Sequence, residues 1–161
     1  MTPQSPTPAP DERHPLTTYL AQLHMLFDAP VAQRDSVDDG HWRAEFAQLI
    51  TLAHAVLAKA SQQGNRVDFT RGVGVNGKVQ DVTSLIEWVF ARLPELARDQ
   101  PGDRPSNRLN RYVDAGVGFF ANGILFSAEF DDEVTYYVDD QRIYLKHHIQ
   151  RAIAEAEDHL N

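Results

Sequence analysis

Cysteine is absent from the sequence, and its absence removes disulfides, thiolate nucleophiles, cysteine-ligated zinc and iron–sulfur clusters. The fold must therefore stand on packing. Long apolar runs are missing as well: no segment approaches the roughly 18 consecutive apolar residues that a membrane helix needs, so no membrane partner is expected. Cations are scarce, with 15 Lys and Arg against 23 Asp and Glu in 161 residues, a net charge of -8. Such a mean field repels phosphate backbones, so nucleic acid is not expected as a partner. Arg104, Arg108 and Arg111 form the one candidate basic cluster that runs against it. The opening stretch from Met1 to Glu12 has neither the basic start nor the apolar centre of a signal peptide, and a cytoplasmic location is the expectation.

What is present reads as one α+β domain. Pro3, Pro6, Pro8 and Pro10 remove amide donors and favour extended backbone, so residues 1–13 read as a disordered Pro-rich tail and 14–161 as the domain. Leu16, Tyr19, Leu20, Leu23, Leu26 and Phe27 recur at spacings of three and four, which predicts a first helix ending near Phe27. Trp42, Phe46, Leu49, Ile50, Ala53, Val56, Leu57 and Ala60 predict a second, closed by Gly64.

Between Arg66 and Gln80 the valines and glycines around Asn76-Gly77 predict a hairpin. A third helix opening near Asp81 or Thr83 is apolar over more than half its circumference. It is expected to be the most buried, and Pro94 is expected to kink or end it. Beyond a Pro/Gly loop at 99–107, strands are expected over 112–120, 124–130 and 133–139, the first two meeting across Asn122-Gly123. A last helix is expected from Ile143 or Tyr144 to Leu160. The sum is about four helices packed on a mainly antiparallel sheet of hairpins, a β-meander.

The motifs are weaker than the architecture. Gly72 to Lys78 satisfies both GxGxxG and the start of GxxxxGK, yet Val79 stands where a phosphate loop needs a magnesium-binding hydroxyl. Two glycine-marked stretches, Gly72-Val73-Gly74 leading to Asn76-Gly77 and Gly116-Val117-Gly118 leading to Asn122-Gly123, read either as a duplicated β unit or as two hairpins of convergent composition. Among seven histidines no HxxxH or HExxH pair occurs, so no metal site and no cofactor is expected. His147 and His148 are adjacent and about 100° apart on a helix, so one can face inward while its neighbour is wet.

Two functional readings follow. In the first, the protein is a small interaction protein without catalytic activity, an adaptor or inhibitor of a basic protein partner. The aromatics Phe120, Phe126, Tyr136 and Tyr137 would anchor the contact, while Asp131, Asp132, Asp139 and Asp140 steer it. It requires one sheet face to be open; burial of both faces is the opposing expectation. In the second, the protein is a small ligand-binding protein or hydrolase-type enzyme. There His147 or His148 works with Asp114, Asp139 or Asp140 at a pocket between helix and sheet. A homo-oligomer is compatible with either.

Overall fold

The computed structural model describes residues 13–28, 41–98, 108–113, 118–121, 124–127, 130 and 133–160. Residues 1–12 of the expected tail lie outside them, and the first helix already includes Arg13. Helix α1 (Arg13–Phe27) packs on α2 (His41–Gln62) through the apolar stripe read from the sequence, with Leu23 fully buried. Gly64 ends α2 at φ +83°: its N–H donates to the Ser61 carbonyl at 3.1 Å and the Asn65 N–H to the Ala60 carbonyl at 2.8 Å. That pair of bonds is the left-handed glycine closure that satisfies orphan carbonyls at a helix end.

Helix α3 (Val82–Arg98) starts on a reciprocal cap. The Ser84 N–H donates to Asp81 Oδ1 at 2.8 Å, and the Asp81 N–H donates to Ser84 Oγ at 2.9 Å. Arg66 grips the same carboxylate with two hydrogen bonds of 2.9 and 3.0 Å. Burial alone would raise the Asp81 pKa, but the bonds from Arg66 and Ser84 outweigh it and hold the group below the ordinary carboxylate value.

Of the two outcomes expected at Pro94, a kink or an end, the end does not occur, and α3 continues to Arg98. It is also not the central helix, because α2 contacts α1, α3 and the C-terminal α4 (Arg151–Leu160), while Trp88, Phe90 and Leu93 of α3 are only half-buried. A helix that is apolar nearly all round is central only when it has neighbours on every side, and here α2 occupies that place.

Residues 65–80 also depart from expectation, for they contain no strand and no hairpin. Asn76 Oδ1 accepts the N–H groups of Lys78 and Val79, both at 2.8 Å, so its side chain rather than a cross-strand ladder organises the bend. The segment is tied to α3 instead, with the Val82 N–H donating to the Phe69 carbonyl at 3.0 Å. The two glycine-marked stretches are therefore not copies of one β unit.

The sheet has the strand order β1 (Leu109–Val113), β4 (Val134–Val138), β5 (Gln141–Tyr144), all antiparallel. A separate hairpin pairs β2 (Gly118–Ala121) with β3 (Ile124–Ser127), Ala121 opposite Ile124. The register sets Arg111, Tyr136 and Ile143 on one sheet face and Asn110, Tyr137 and Arg142 on the other. Tyr136 packs against Phe46 and Trp42 of α2, with ring centroids 4.3 and 6.0 Å apart. On the opposite face Tyr137 meets Tyr112 edge-on at 5.6 Å.

Ile143 and Tyr144, expected to open the last helix, lie instead in β5. That helix begins later, with a π-helical segment at Leu145–Gln150 in which the Arg151 N–H reaches back to the Lys146 carbonyl, before α4 proper.

Candidate functional site

The start of the π segment has no cap of its own. Tyr144 occupies the capping position in extended conformation and offers no side-chain acceptor, so the first amides need one from elsewhere. Glu133, immediately before β4, supplies it. Oε1 accepts from the Lys146 N–H at 2.9 Å and from the Val134 N–H at 2.9 Å, and Oε2 accepts from the His147 N–H at 2.9 Å. The carboxylate is fully buried, and its hydrogen bonds come from within the protein.

The fourth bond to this carboxylate comes from a side chain. His147 Nδ1 lies 2.6 Å from Glu133 Oε2. With both carboxylate oxygens already accepting amide protons, Glu133 acts as acceptor here as well, so Nδ1 carries the proton. In the neutral ring Nε2 then holds a lone pair, and it has no hydrogen bond among the described residues. The side chain is 43% exposed. Phe130 stacks on the ring at 3.6 Å and 8°, fixing its plane. A buried carboxylate that orients an exposed imidazole is the arrangement by which histidine becomes a directed proton acceptor.

His148 is the opposite case. It is fully buried, its Nδ1 accepts from the Tyr144 N–H at 3.0 Å, and its Nε2–H donates to the Arg71 carbonyl at 3.0 Å. Burial pushes its pKa down to about 4; the Arg71 carbonyl opposes the shift, and Arg142, His147 and Arg151 add to it. Both nitrogens are engaged, so His148 is a structural tie between the π segment and the 65–80 loop. Gly72, at φ +73°, permits that approach: a Cβ there would lie 3.2 Å from His148 Nε2 and from the Tyr144 ring.

The expected site residues are thus divided. The structure brings His147 to a carboxylate, but that carboxylate is Glu133 rather than Asp139 or Asp140. Asp139 lies at the other end of β4, where it accepts two bonds of 2.9 Å from Arg108 and meets Arg92 Nε at 3.4 Å. Arg108 also binds Glu95 at 2.9 Å, so this member of the expected basic cluster is already engaged. Asp140 is half-buried in the β4–β5 turn. Asp114, Asp131 and Asp132 lie outside the described residues, as does Arg104.

Tyr136 and Tyr137, expected on an exposed surface, are both fully buried, because β4 is covered on both faces. Burial first, and the neighbouring Tyr144 next, push the Tyr137 hydroxyl up to about 12 against the pull of Arg142. Phe120 lies opposite Leu125 and Phe126 opposite Phe119 in the separate hairpin. Their side chains are outside the described residues.

The phosphate-loop reading also finds no support in the geometry, since the amides at the start of α3 face the Asp81 carboxylate and Ser84 hydroxyl. Among the described residues no group of three or more His, Asp or Glu is placed to hold a metal ion. No described helix is long and apolar enough to cross a membrane. No protein-family model matches the chain, and neither a curated protein nor a solved structure matches it significantly.

Proposed function

We propose that this protein is a small ligand-binding protein or hydrolase-type enzyme whose working group is the His147 imidazole. The observation that carries the reading is the 2.6 Å contact between His147 Nδ1 and a fully buried Glu133 carboxylate, which leaves Nε2 the basic edge of a fixed, half-exposed ring. In a hydrolytic step Nε2 takes a proton from a bound water while the water oxygen forms a bond to the electrophilic centre. The leaving group departs with the electron pair of the broken bond and recovers the proton from Nε2. Glu133 steadies the imidazolium between the two transfers.

Turnover of small chromogenic esters by the full chain is the test. A general base contributes typically about 10²–10⁴ in rate, so His147→Gln is expected to lose at least that lower factor. Full turnover in the variant would overturn the reading. So would an absence of turnover in the native chain combined with no ligand-induced shift of the His147 ring resonances.

A second reading, a non-catalytic interaction protein for a basic partner, is favoured by α1. Met25 there is 72% exposed, and Leu16, Tyr19 and Leu20 are only half-buried. Pull-down with the native chain and with Met25→Glu separates the readings. A stoichiometric basic protein recovered only by the native chain supports the second, and identical recovery removes α1 as its surface.

A further inference from the structure

The charges around His147 run against the charge of the chain. Arg71 projects from the 65–80 loop with its guanidinium 5.9 Å from the centre of the Phe130 ring, the ring that stacks on His147. Arg151, four residues after His147, lies 3.9 Å over Phe69, and Phe69 in turn packs on His148 at 6.4 Å. Arg142 stands 5.7 Å over Tyr144, whose ring is 4.9 Å from that of His148. Three guanidiniums thus lie over the aromatic rings that contact the two histidines, in a protein of net charge -8.

Their supports differ from those at Asp139. Arg71 is exposed and has no ion pair among the described residues, and its backbone is pinned by the bond from His148 Nε2 to its carbonyl. Among the described residues Arg151 has one ion pair, a 3.3 Å contact with Glu155 one turn along the exposed face of α4. Both guanidiniums rest on aromatic faces, and apart from the Arg151 Nε bond to Glu155 no described residue takes their N–H groups. The near carboxylate, Glu133, has its four bonds filled from within and is not available to either arginine.

We infer that the ligand of the His147 site carries an oxyanion, a phosphate or carboxylate, gripped by Arg71 and Arg151 beside the imidazole. The inference rests on the reading of His147 as the working group and names the ligand class for it. Arg71 and Arg151 are positioning residues: a guanidinium fork matches two oxygens of a phosphate or carboxylate. The glycine-rich stretch ending at Lys78 is not the holder, since its neighbouring helix start is closed by Asp81.

The experiment titrates the full chain with inorganic phosphate and, separately, with acetate, following backbone amides and the His147 ring by NMR. Saturable shifts centred on Arg71, His147 and Arg151 are expected with at least one anion, and which of the two saturates identifies its source. Arg71→Gln and Arg151→Gln are each expected to weaken binding about tenfold, the size of one charge-assisted hydrogen bond, while Lys78→Gln leaves it unchanged.

Both arginines are exposed, so the variants are expected to keep the native amide spectrum away from the site. Non-saturating shifts, or equal affinity in the arginine variants, overturn the inference. Loss in Lys78→Gln alone overturns it in favour of the glycine stretch. Anion binding that survives in His147→Gln, without any ester turnover in the native chain, removes the catalytic reading and leaves the anion site. Turnover of neutral esters with no anion binding does the reverse.

Discussion

The two ends of strand β4 each carry a carboxylate, and the chain satisfies them in opposite ways. At the end of the strand Asp139 takes two hydrogen bonds from Arg108 and pairs with Arg92 at 3.4 Å, at a half-exposed turn where the charges cancel. Before its start Glu133 takes three of its bonds from backbone amides and the fourth from His147, wholly out of water. The first arrangement consumes the cations that make it. The second uses no arginine, leaves Arg71 without an ion pair among the described residues, and turns a histidine outward.

The sharpest way to break the contrast is to remove Glu133. Glu133→Ala strips the acceptor from three amides, two of them at an uncapped helix start, and frees the His147 ring. Removing one partner of a buried, charge-assisted set is expected to destabilise by about 3–5 kcal/mol, measured by urea unfolding. Glu133→Gln keeps the shape but turns an amide group toward donors, and a smaller loss of about 1–3 kcal/mol is expected, with disordering of the His147 ring signal. A loss below about 1 kcal/mol in Glu133→Ala would mean that water replaces the carboxylate readily and that this end of β4 is not held as described.

The second test uses pH. His148 binds its proton with a pKa of about 4 in the folded chain against 6.5 unfolded, so the folded state binds fewer protons between those values. The stability that depends on the neutral ring is complete above pH 6.5 and falls as pH drops toward 4, by about 3 kcal/mol in all. The groups facing the ring are the Arg71 carbonyl, the Tyr144 amide and ring, His147, Phe69 and the guanidiniums of Arg142 and Arg151. Among the described residues none of these is a carboxylate that would rescue the protonated form. His148→Gln, which does not titrate, is expected to flatten this part of the stability–pH curve; an unchanged slope would place the titration elsewhere.

The parts legible in the sequence were those with local causes. The apolar stripes of α1 and α2, the Gly64 closure, the Asp81 start of α3 and the pairing of 118–121 with 124–127 each follow from spacing or turn chemistry within a few residues. β5 was hidden because Ile143 and Tyr144 also continue the helical stripe of Leu145 and Ile149, and only pairing with β4 decides between the two. Glu133 was hidden in Asp131-Asp132-Glu133, which reads as a solvated turn. A signal was present nonetheless: Ile143-Tyr144-Leu145 opens a helix without Ser, Thr, Asp or Asn, so its amides required an acceptor from a distant part of the chain. The partner of His147 is a tertiary fact, and periodicity carries no information about it.

The smallest expected effect lies at the Asp139 end. Its side chain is about a quarter exposed, its partners reach water, and exposed ion pairs contribute at most about 1 kcal/mol even when bidentate. Asp139 also sits at φ +49°, a conformation in which Asn is tolerated at least as well as Asp. Asp139→Asn therefore keeps the backbone preference and one acceptor for Arg108 while removing the charge, and a loss of about 0.5–1 kcal/mol is expected. Released from that charge, Arg108 and Arg92 stay at this end with the Glu95 carboxylate bound to Arg108. If cations alone sufficed, phosphate would now bind at this end too. It is expected not to, because Arg108 remains tied to Glu95, and the same NMR titration in the variant reads this directly.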